Sequence, residues 1–250
     1  MVSAASEIAV TSTPTRMGHE APDAMNSPPL RTSSRLLVPV VVALFSSPLA
    51  GQSVPSVPVD TTGLGTGPAS RMHVLLERTI FKVDVLTLDV RVGPATTDRI
   101  ERLLAGTLDT RALADSVASA ALAADDALAR LEFQRDVGLE QFLDGIRDNL
   151  RRATRAGIVK PAEFRSISAD LPGWYAFLEE RGIRSGDRML QRVRGDTLRT
   201  VYEGADGEVL LDQVDVGPER RLAVLGGYFA PGSDFRQGLV ESVLAAHGAD

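Results

Sequence analysis

The sequence of 250 residues contains no cysteine, one tryptophan, three tyrosines and three histidines. Without cysteine the chain can form no disulfide framework, no thiolate metal site and no thiol nucleophile. No cluster of His, Asp and Glu has the spacing of metal ligands, and no serine lies in a GxSxG motif. We therefore expect no metal, no cofactor and no hydrolytic centre.

The chain also lacks an excess of positive charge, since its formal net charge is −6 at pH 7. A nucleic-acid-binding protein usually carries a basic patch or stripe, so nucleic acid is not expected as a partner. The basic stretch "RDNLRRATR" at 147–155 is typical of the solvated face of an amphipathic helix.

No apolar run is long enough to cross a membrane as a helix. The longest, at 36–45, has about ten residues, whereas a spanning helix needs roughly twenty. Arg31 and Arg35 precede this run and small residues surround Ala50, which is the pattern of a secretory signal peptide. We expect translation to start at Met25, or less favourably at Met17, with cleavage after Ala50 and export to the periplasm or the extracellular space.

These features divide the chain into three parts. Residues 1–50 are predicted to be a leader with the signal peptide, and residues 51–69, rich in Gly, Pro, Ser and Thr, a flexible linker. The remaining residues, 70–250, have the length of one domain with one core.

The segment 70–92 is too long for one strand, because it would span roughly 70 Å when extended. It is predicted to bend near Glu77 and Arg78 and to form two paired strands, 72–76 and 80–92. The apolar alternation changes phase after Val85, which indicates a β-bulge or burial of both faces.

Further along the chain, helix-like and strand-like patterns follow each other. One or two helices are predicted in 97–128, a short strand in 127–137, and a helix whose apolar residues recur from Leu139 to Leu150. A helix beginning at Pro161 is expected to be interrupted at Pro172, before hairpin strands around 204–207 and two C-terminal helices at 219–226 and from 233. This order predicts an α+β domain whose antiparallel sheet is covered on one face by helices.

Three segments resemble the chalcone isomerase-like family: "RTIFKVDVLTLDVRV", "LEFQRDVGLEQFLDGIRDNL" and "GYFAPGSDFRQGLVESVLA". On these segments the chain is identified as a bacterial exported member. The resemblance implies an open-faced β-sandwich with a ligand cleft between the sheet and the helices. Some members of the family isomerise chalcones, and others bind fatty acids.

The resemblance also implies four ligand-binding residues. Arg71 is similar to the family's arginine, Asp84 stands at a Thr or Tyr position, Phe142 replaces a tyrosine, and Asn149 matches an asparagine. Asp84 needs a cationic partner, which Arg71, Arg78 or Lys82 could supply, because an unpaired buried carboxylate is costly. We expect Arg71 and Asp84 to face each other at the mouth of the cleft.

The substitutions at two of these positions argue against catalysis. Phe142 has no hydroxyl, and Asp84 would place negative charge where an oxyanion site needs hydrogen-bond donors. The sequence therefore predicts a non-catalytic binding protein for an apolar small molecule, fatty-acid-like or neutral and lipid-like. Two alternatives remain: an isomerase in which Arg71 and Asn149 converge with a water or with Tyr202, and a scaffold with a collapsed cleft that acts through protein partners.

Overall fold

In the part of the chain that the structure describes, six strands form one sheet in which each strand pairs antiparallel with the next along the chain. The computed structural model describes residues 59–78 and 83–248. The strands are β1 (Arg71–Arg78), β2 (Val83–Val92), β3 (Asp126–Phe133), β4 (Arg188–Arg194), β5 (Thr197–Glu203) and β6 (Val209–Val216). Because the connections between β4, β5 and β6 are short, these strands follow as hairpins, as the sequence predicts.

Among the described residues, six α-helices join and cover these strands. They are α1 (Pro94–Leu104), α2 (Thr110–Leu122), α3 (Leu139–Arg155), α4 (Pro161–Trp174), α5 (Pro218–Phe229) and α6 (Arg236–Gly248). Three of them begin with proline, whose missing N–H is no loss in the first turn of a helix. Helix α2 is capped by Asp109, whose carboxylate accepts hydrogen bonds from two backbone N–H groups of the first turn.

One face of the sheet is apolar and lies under the helices. Alternate side chains on the central strands, such as Leu88, Val90 and Phe133, are fully buried there. The opposite face is largely charged, with cross-strand pairs such as His73 with Asp89 at 2.7 Å. The predicted α+β class is confirmed, and this is the architecture that the family resemblance implies.

A bulge in β2 explains the change of phase after Val85. Leu76 pairs with Leu86 while the next residue, Glu77, pairs with Asp84, so Val85 has no opposite residue. The extra residue lets both Val85 and Leu86 be buried. The bend predicted near Glu77 and Arg78 is wrong, because β1 continues past the bulge through Arg78, which pairs with Val83. The next residues, 79–82, lie outside the described part of the chain.

The predicted helical region 97–128 contains two helices, but its end is wrong. Helix α2 ends at Leu122, and Ala127 and Leu128 already belong to β3. Ala127 is buried between β2 and β4, where its backbone pairs with both neighbouring strands. Alanine favours helix by propensity, but these tertiary pairings outweigh that preference.

The interruption predicted at Pro172 is also wrong, because α4 continues to Trp174. The proline lies in the last turn of the helix, where losing one N–H removes a single hydrogen bond and is tolerated. The segment "AFL" that follows forms one turn of 3-10 helix, Ala176–Leu178, rather than a further α-helix.

Residues 59–69, predicted to belong to a linker, pack against the domain. Leu64 and Ala69 are buried, and Arg192 on β4 donates hydrogen bonds to the backbone carbonyls of Asp60 and Thr62. Arg192 is only 5% exposed and also bonds the Asp126 carboxylate, so its guanidinium is well satisfied. Residues 59–69 therefore make defined contacts with the domain, while 51–58 lie outside the described part of the chain, and the linker boundary stays a prediction.

The predicted leader, residues 1–50, also lies outside the residues that the structure describes. Within 59–78 and 83–248, no helix combines the length and apolar character needed to cross a bilayer.

Candidate ligand-binding cleft

A cleft of about 180 Å³ lies between the apolar face of the sheet and helices α3, α4 and α5. Its walls are mainly aliphatic and aromatic. The apolar lining includes Leu86, Leu131, Phe133, Phe142, Ile146, Leu150, Leu171, Met189, Leu198 and Val224. Because few polar groups interrupt this lining, the cleft has the character of a small-molecule site.

Helix α3 forms one wall of the cleft. Phe142, Ile146 and Asn149 follow each other at spacings of four and three, so they lie on one face of the helix and reach the lining together. Gly145 lies between them in the lining, and a Cβ at this position would meet open space. The glycine therefore leaves room in the cleft that a larger residue would fill.

Aromatic rings close one end of the cleft. Phe142 packs edge to face against Tyr175, with ring centroids 5.0 Å apart, and against Phe133 at 5.8 Å. Such edge-on geometry is favourable for aromatic pairs and fixes the three rings relative to one another. Phe142 thus contributes shape and apolar surface.

Three polar side chains cross the floor of the cleft in one row. Gln191 on β4 lies opposite Thr200 on β5, and Thr200 lies opposite Gln213 on β6. All three line the cleft, and we call them the polar row. Gln191 and Thr200 are 8% and 7% exposed, so both are almost fully removed from solvent.

The groups of the polar row are only partly hydrogen-bonded. The Tyr228 hydroxyl on α5 donates to Gln191 Oε1, and Gln213 Nε2 donates to the Asp215 carboxylate at 3.1 Å. Among the described residues, no group bonds the Thr200 hydroxyl or Gln191 Nε2. Burial raises the pKa of Tyr228 far above its ordinary value, so this hydroxyl stays neutral.

Among the described residues, three charged ones belong to the lining of the cleft: Asp215, Arg220 and Asp234. Arg152 donates hydrogen bonds to Asn149 Oδ1 and Asp234 Oδ2, both at 2.9 Å. The Arg220 guanidinium lies over the Trp174 ring, 4.7 Å from its centroid, in a cation–π contact. Arg220 and Asp234 are therefore each held by a neighbouring side chain.

The structure separates the four residues predicted from the resemblance. Phe142 and Asn149 both line the cleft, whereas Arg71 is exposed at the start of β1 and lies opposite Arg91. The backbone of Asp84 lies opposite Glu77, near the other end of the β1–β2 hairpin. The binding of a ligand by these four residues stays a prediction.

The predicted contact between Arg71 and Asp84 is wrong. In an antiparallel hairpin the first residues of one strand pair with the last residues of the other. Arg71 and Glu77, the residue opposite Asp84, are six residues apart on β1, which corresponds to about 20 Å. The backbone positions of Arg71 and Asp84 are therefore too far apart for the predicted contact.

The hydroxyl of Tyr202, which the isomerase alternative needs, is already hydrogen-bonded to another side chain. It is fully buried, and its hydroxyl donates to Asp187 Oδ2 at 2.9 Å. Burial, followed by the nearby Asp187 carboxylate, raises the pKa of Tyr202 far above its ordinary value. Arg71, Asn149 and Tyr202 therefore do not converge on one point.

Asp187 is the centre of a buried network that sequence reasoning missed. Arg181 donates two hydrogen bonds to this carboxylate, at 2.7 and 3.0 Å, and the N–H groups of Arg184 and Ala205 donate two more. Burial acts to raise the pKa of Asp187, but the hydrogen bonds from Arg181, Arg184 and Tyr202 outweigh it and lower the pKa. An "RGIRSGDR" loop gives no sign that its aspartate is buried, because Asp is usually exposed.

Comparison with known proteins gives matches among solved structures. No protein-family model matches the chain, and no curated protein matches its sequence. Among solved structures, the chain is similar to a fatty-acid binding protein of Arabidopsis thaliana, with 13% sequence identity and a TM-score of 0.49. The match covers 81% of this chain and 96% of that chain.

In the described residues, no group of three or more His, Asp or Glu side chains is arranged to hold a metal ion.

Proposed function

We propose that this protein is a binding protein that holds an apolar small molecule, fatty-acid-like or neutral and lipid-like, in the cleft. The observation that carries the proposal is the cavity of about 180 Å³ with an apolar lining. An engineered apolar cavity on the order of 150 Å³ in another protein takes up benzene, so this space is large enough for an aromatic ring or a short alkyl chain.

The energetics of apolar burial support this proposal. A ligand that covers the apolar lining removes apolar surface from water on both sides of the contact, at roughly 25 cal/mol per Å².

The two alternatives are less well supported by the geometry. An isomerase would need oriented donors around a developing oxyanion, and the residues suggested for this role lie apart. A scaffold with a collapsed cleft would have its space filled by side chains, whereas this cleft is open. Binding without catalysis is therefore our conclusion.

We further propose that the chain is exported to the periplasm or the extracellular space. The support is the sequence pattern of Arg31, Arg35, the apolar run at 36–45 and the small residues around Ala50. Intact-mass measurement of the protein from its host tests this directly: export predicts a mature chain that begins near Gly51. A cytoplasmic protein that retains Met25 and the apolar run would contradict it.

Native mass spectrometry of the protein as purified from its host tests binding. We expect a noncovalent adduct of a few hundred daltons in the wild type and its loss in Gly145→Leu, whose side chain would enter the open space beside the lining. Gly173→Leu is the matched control, because Gly173 is an exposed helical glycine outside the lining where a Cβ also meets open space. An adduct that persists in Gly145→Leu, or a wild type without any adduct, would argue against binding in the cleft.

A further inference from the structure

The floor of the cleft contains two polar groups that the fold leaves without partners. The Thr200 hydroxyl and Gln191 Nε2 make no hydrogen bond to any described residue, although both side chains are more than nine-tenths buried. The two polar atoms are not among the fully covered side-chain atoms that lack a partner, so they face the open space of the cleft. Their position in the lining means that a molecule in the cleft can bond to them.

The two groups lie side by side, because Gln191 and Thr200 are directly opposite each other on β4 and β5. The amide supplies an N–H donor, and the hydroxyl can donate or accept. A ligand oxygen between them could therefore accept from both groups, and a ligand hydroxyl could also donate to Thr200. Tyr228 holds the amide in place through its bond to Gln191 Oε1.

The cleft offers an ionised ligand group little compensation. Within the described residues, Arg220 is the basic residue of the lining, and its guanidinium is stacked on Trp174. Asp215 also lines the cleft, accepts from Gln213 in the polar row, and would repel an anion there. A buried anion without a counter-charge is strongly disfavoured. In the described lining, a cation would find only carboxylates that already have partners, Asp215 with Gln213 and Asp234 with Arg152.

We infer that the ligand carries a neutral hydrogen-bonding group, an alcohol or carbonyl oxygen, that binds between Gln191 and Thr200 while its apolar body fills the cleft. This inference rests on the proposed function and names the class of ligand. It makes Gln191 and Thr200 the residues that orient the ligand.

Calorimetric titration with three eight-carbon probes at pH 7.5 tests the inference. The probes are 1-octanol, octanoate and octylamine, of which the last two are ionised at this pH. We expect 1-octanol to bind at least ten-fold more tightly than either ion. Thr200→Val keeps the shape of the side chain and removes the hydroxyl, so it should weaken 1-octanol binding by about five-fold, the value of one neutral hydrogen bond.

Thr197→Val is the matched control, because Thr197 lies on the same strand but on the face of the sheet away from the helices. It should leave the affinity for 1-octanol unchanged. Gln191→Leu is a second variant. It should also weaken the binding of 1-octanol and make the preference for 1-octanol over octanoate smaller than in the wild type.

The outcomes separate the inference from the proposed function. Tighter binding of octanoate or octylamine than of 1-octanol, or an unchanged affinity in Thr200→Val, would overturn the inference while binding in the cleft stands. If no probe binds and the neutral dye Nile red does not bind either, the proposed function itself fails. Thermal unfolding of each variant shows that it is folded before the titration is interpreted.

Discussion

The Tyr228 hydroxyl on α5 donates a hydrogen bond to Gln191 Oε1 on β4, across the floor of the cleft. Both side chains are buried, and the bond ties a helix of the covering layer to the centre of the sheet. It satisfies one half of the Gln191 amide and leaves the other half for a ligand. This pair therefore contributes both to the stability of the fold and to the polarity of the cleft.

Tyr228→Phe should lower the free energy of unfolding by about 1–3 kcal/mol, because Gln191 Oε1 loses its partner while it stays buried. Urea unfolding measures the change. In the Tyr228→Phe background, Gln191→Leu should lower the free energy of unfolding much less than it does in the wild type. The reason is that Gln191→Leu removes the amide that Tyr228→Phe leaves unsatisfied. Costs that simply add in the double variant would show that the two residues are not coupled.

Asp187→Asn should lower the free energy of unfolding by about 3–5 kcal/mol. Asparagine has nearly the same shape as aspartate but carries no charge, so Arg181 loses its buried counter-charge. Asp212→Asn is the matched control, because Asp212 pairs with Arg199 at the solvent-facing surface and such pairs contribute at most about 1 kcal/mol. Equal effects of the two changes would contradict a special role for the buried network.

The same network predicts how stability depends on pH. The pKa of Asp187 is lowered in the folded protein relative to its ordinary value of about 3.9 in the unfolded chain. Its contribution is therefore complete above about pH 4 and is lost as the pH falls through the folded-state pKa. Between pH 5 and pH 2, urea unfolding of wild type should show a steeper loss of stability than Asp187→Asn.

Sequence reasoning predicted the fold better than the site, for physical reasons that particular residues make clear. The alternation of Leu86, Leu88 and Val90 depends on burial alone, so it identified β2 and its bulge. The polar row could not be recognised, because Leu190 and Val201 on the other face make the alternation of β4 and β5 ambiguous. Asn149 was found through a family resemblance.

Arg192 is a residue whose burial could not be predicted from the sequence. Arginine is seldom fully buried, and nothing in "RMLQRVRG" indicates that this one is covered by the segment at 59–64. The pairing proposed for Arg71 and Asp84 failed for another reason. Strand register depends on where the strands end, and β1 continues through Arg78, beyond the end predicted at Leu76.

Arg192→Lys should loosen the attachment of residues 59–64 to the sheet. The guanidinium bonds two carbonyls of this segment and the Asp126 carboxylate at once, and an ammonium with three donors cannot reproduce that geometry. Limited proteolysis should cut the variant within or just before this segment faster than it cuts the wild type. Arg188→Lys, on the same strand but paired with Glu203 on β5, should change the rate less; identical rates in all three proteins would count against the anchoring role.

Two helical glycines should respond in opposite directions to alanine. Gly238 on α6 packs so closely on β1 that a Cβ would overlap the Val74 side chain, so Gly238→Ala should cost about 1–3 kcal/mol. Gly145→Ala should stabilise the protein by about 0.5–1 kcal/mol, because its Cβ meets open space and alanine favours helix. Thermal unfolding of both variants measures these changes in stability. A stabilised Gly238→Ala would show that α6 does not pack on β1 in this way.

The most direct test of the central claim is the fluorescence of Trp174, the sole tryptophan of the sequence, which lines the cleft. When 1-octanol enters, alkyl groups should replace water around the indole, so the emission of the wild type should shift to shorter wavelength and saturate. Gly145→Leu, which fills the same space, should show little or no shift. A wild-type emission that does not change up to the solubility limit of 1-octanol, with the protein folded, would contradict the account.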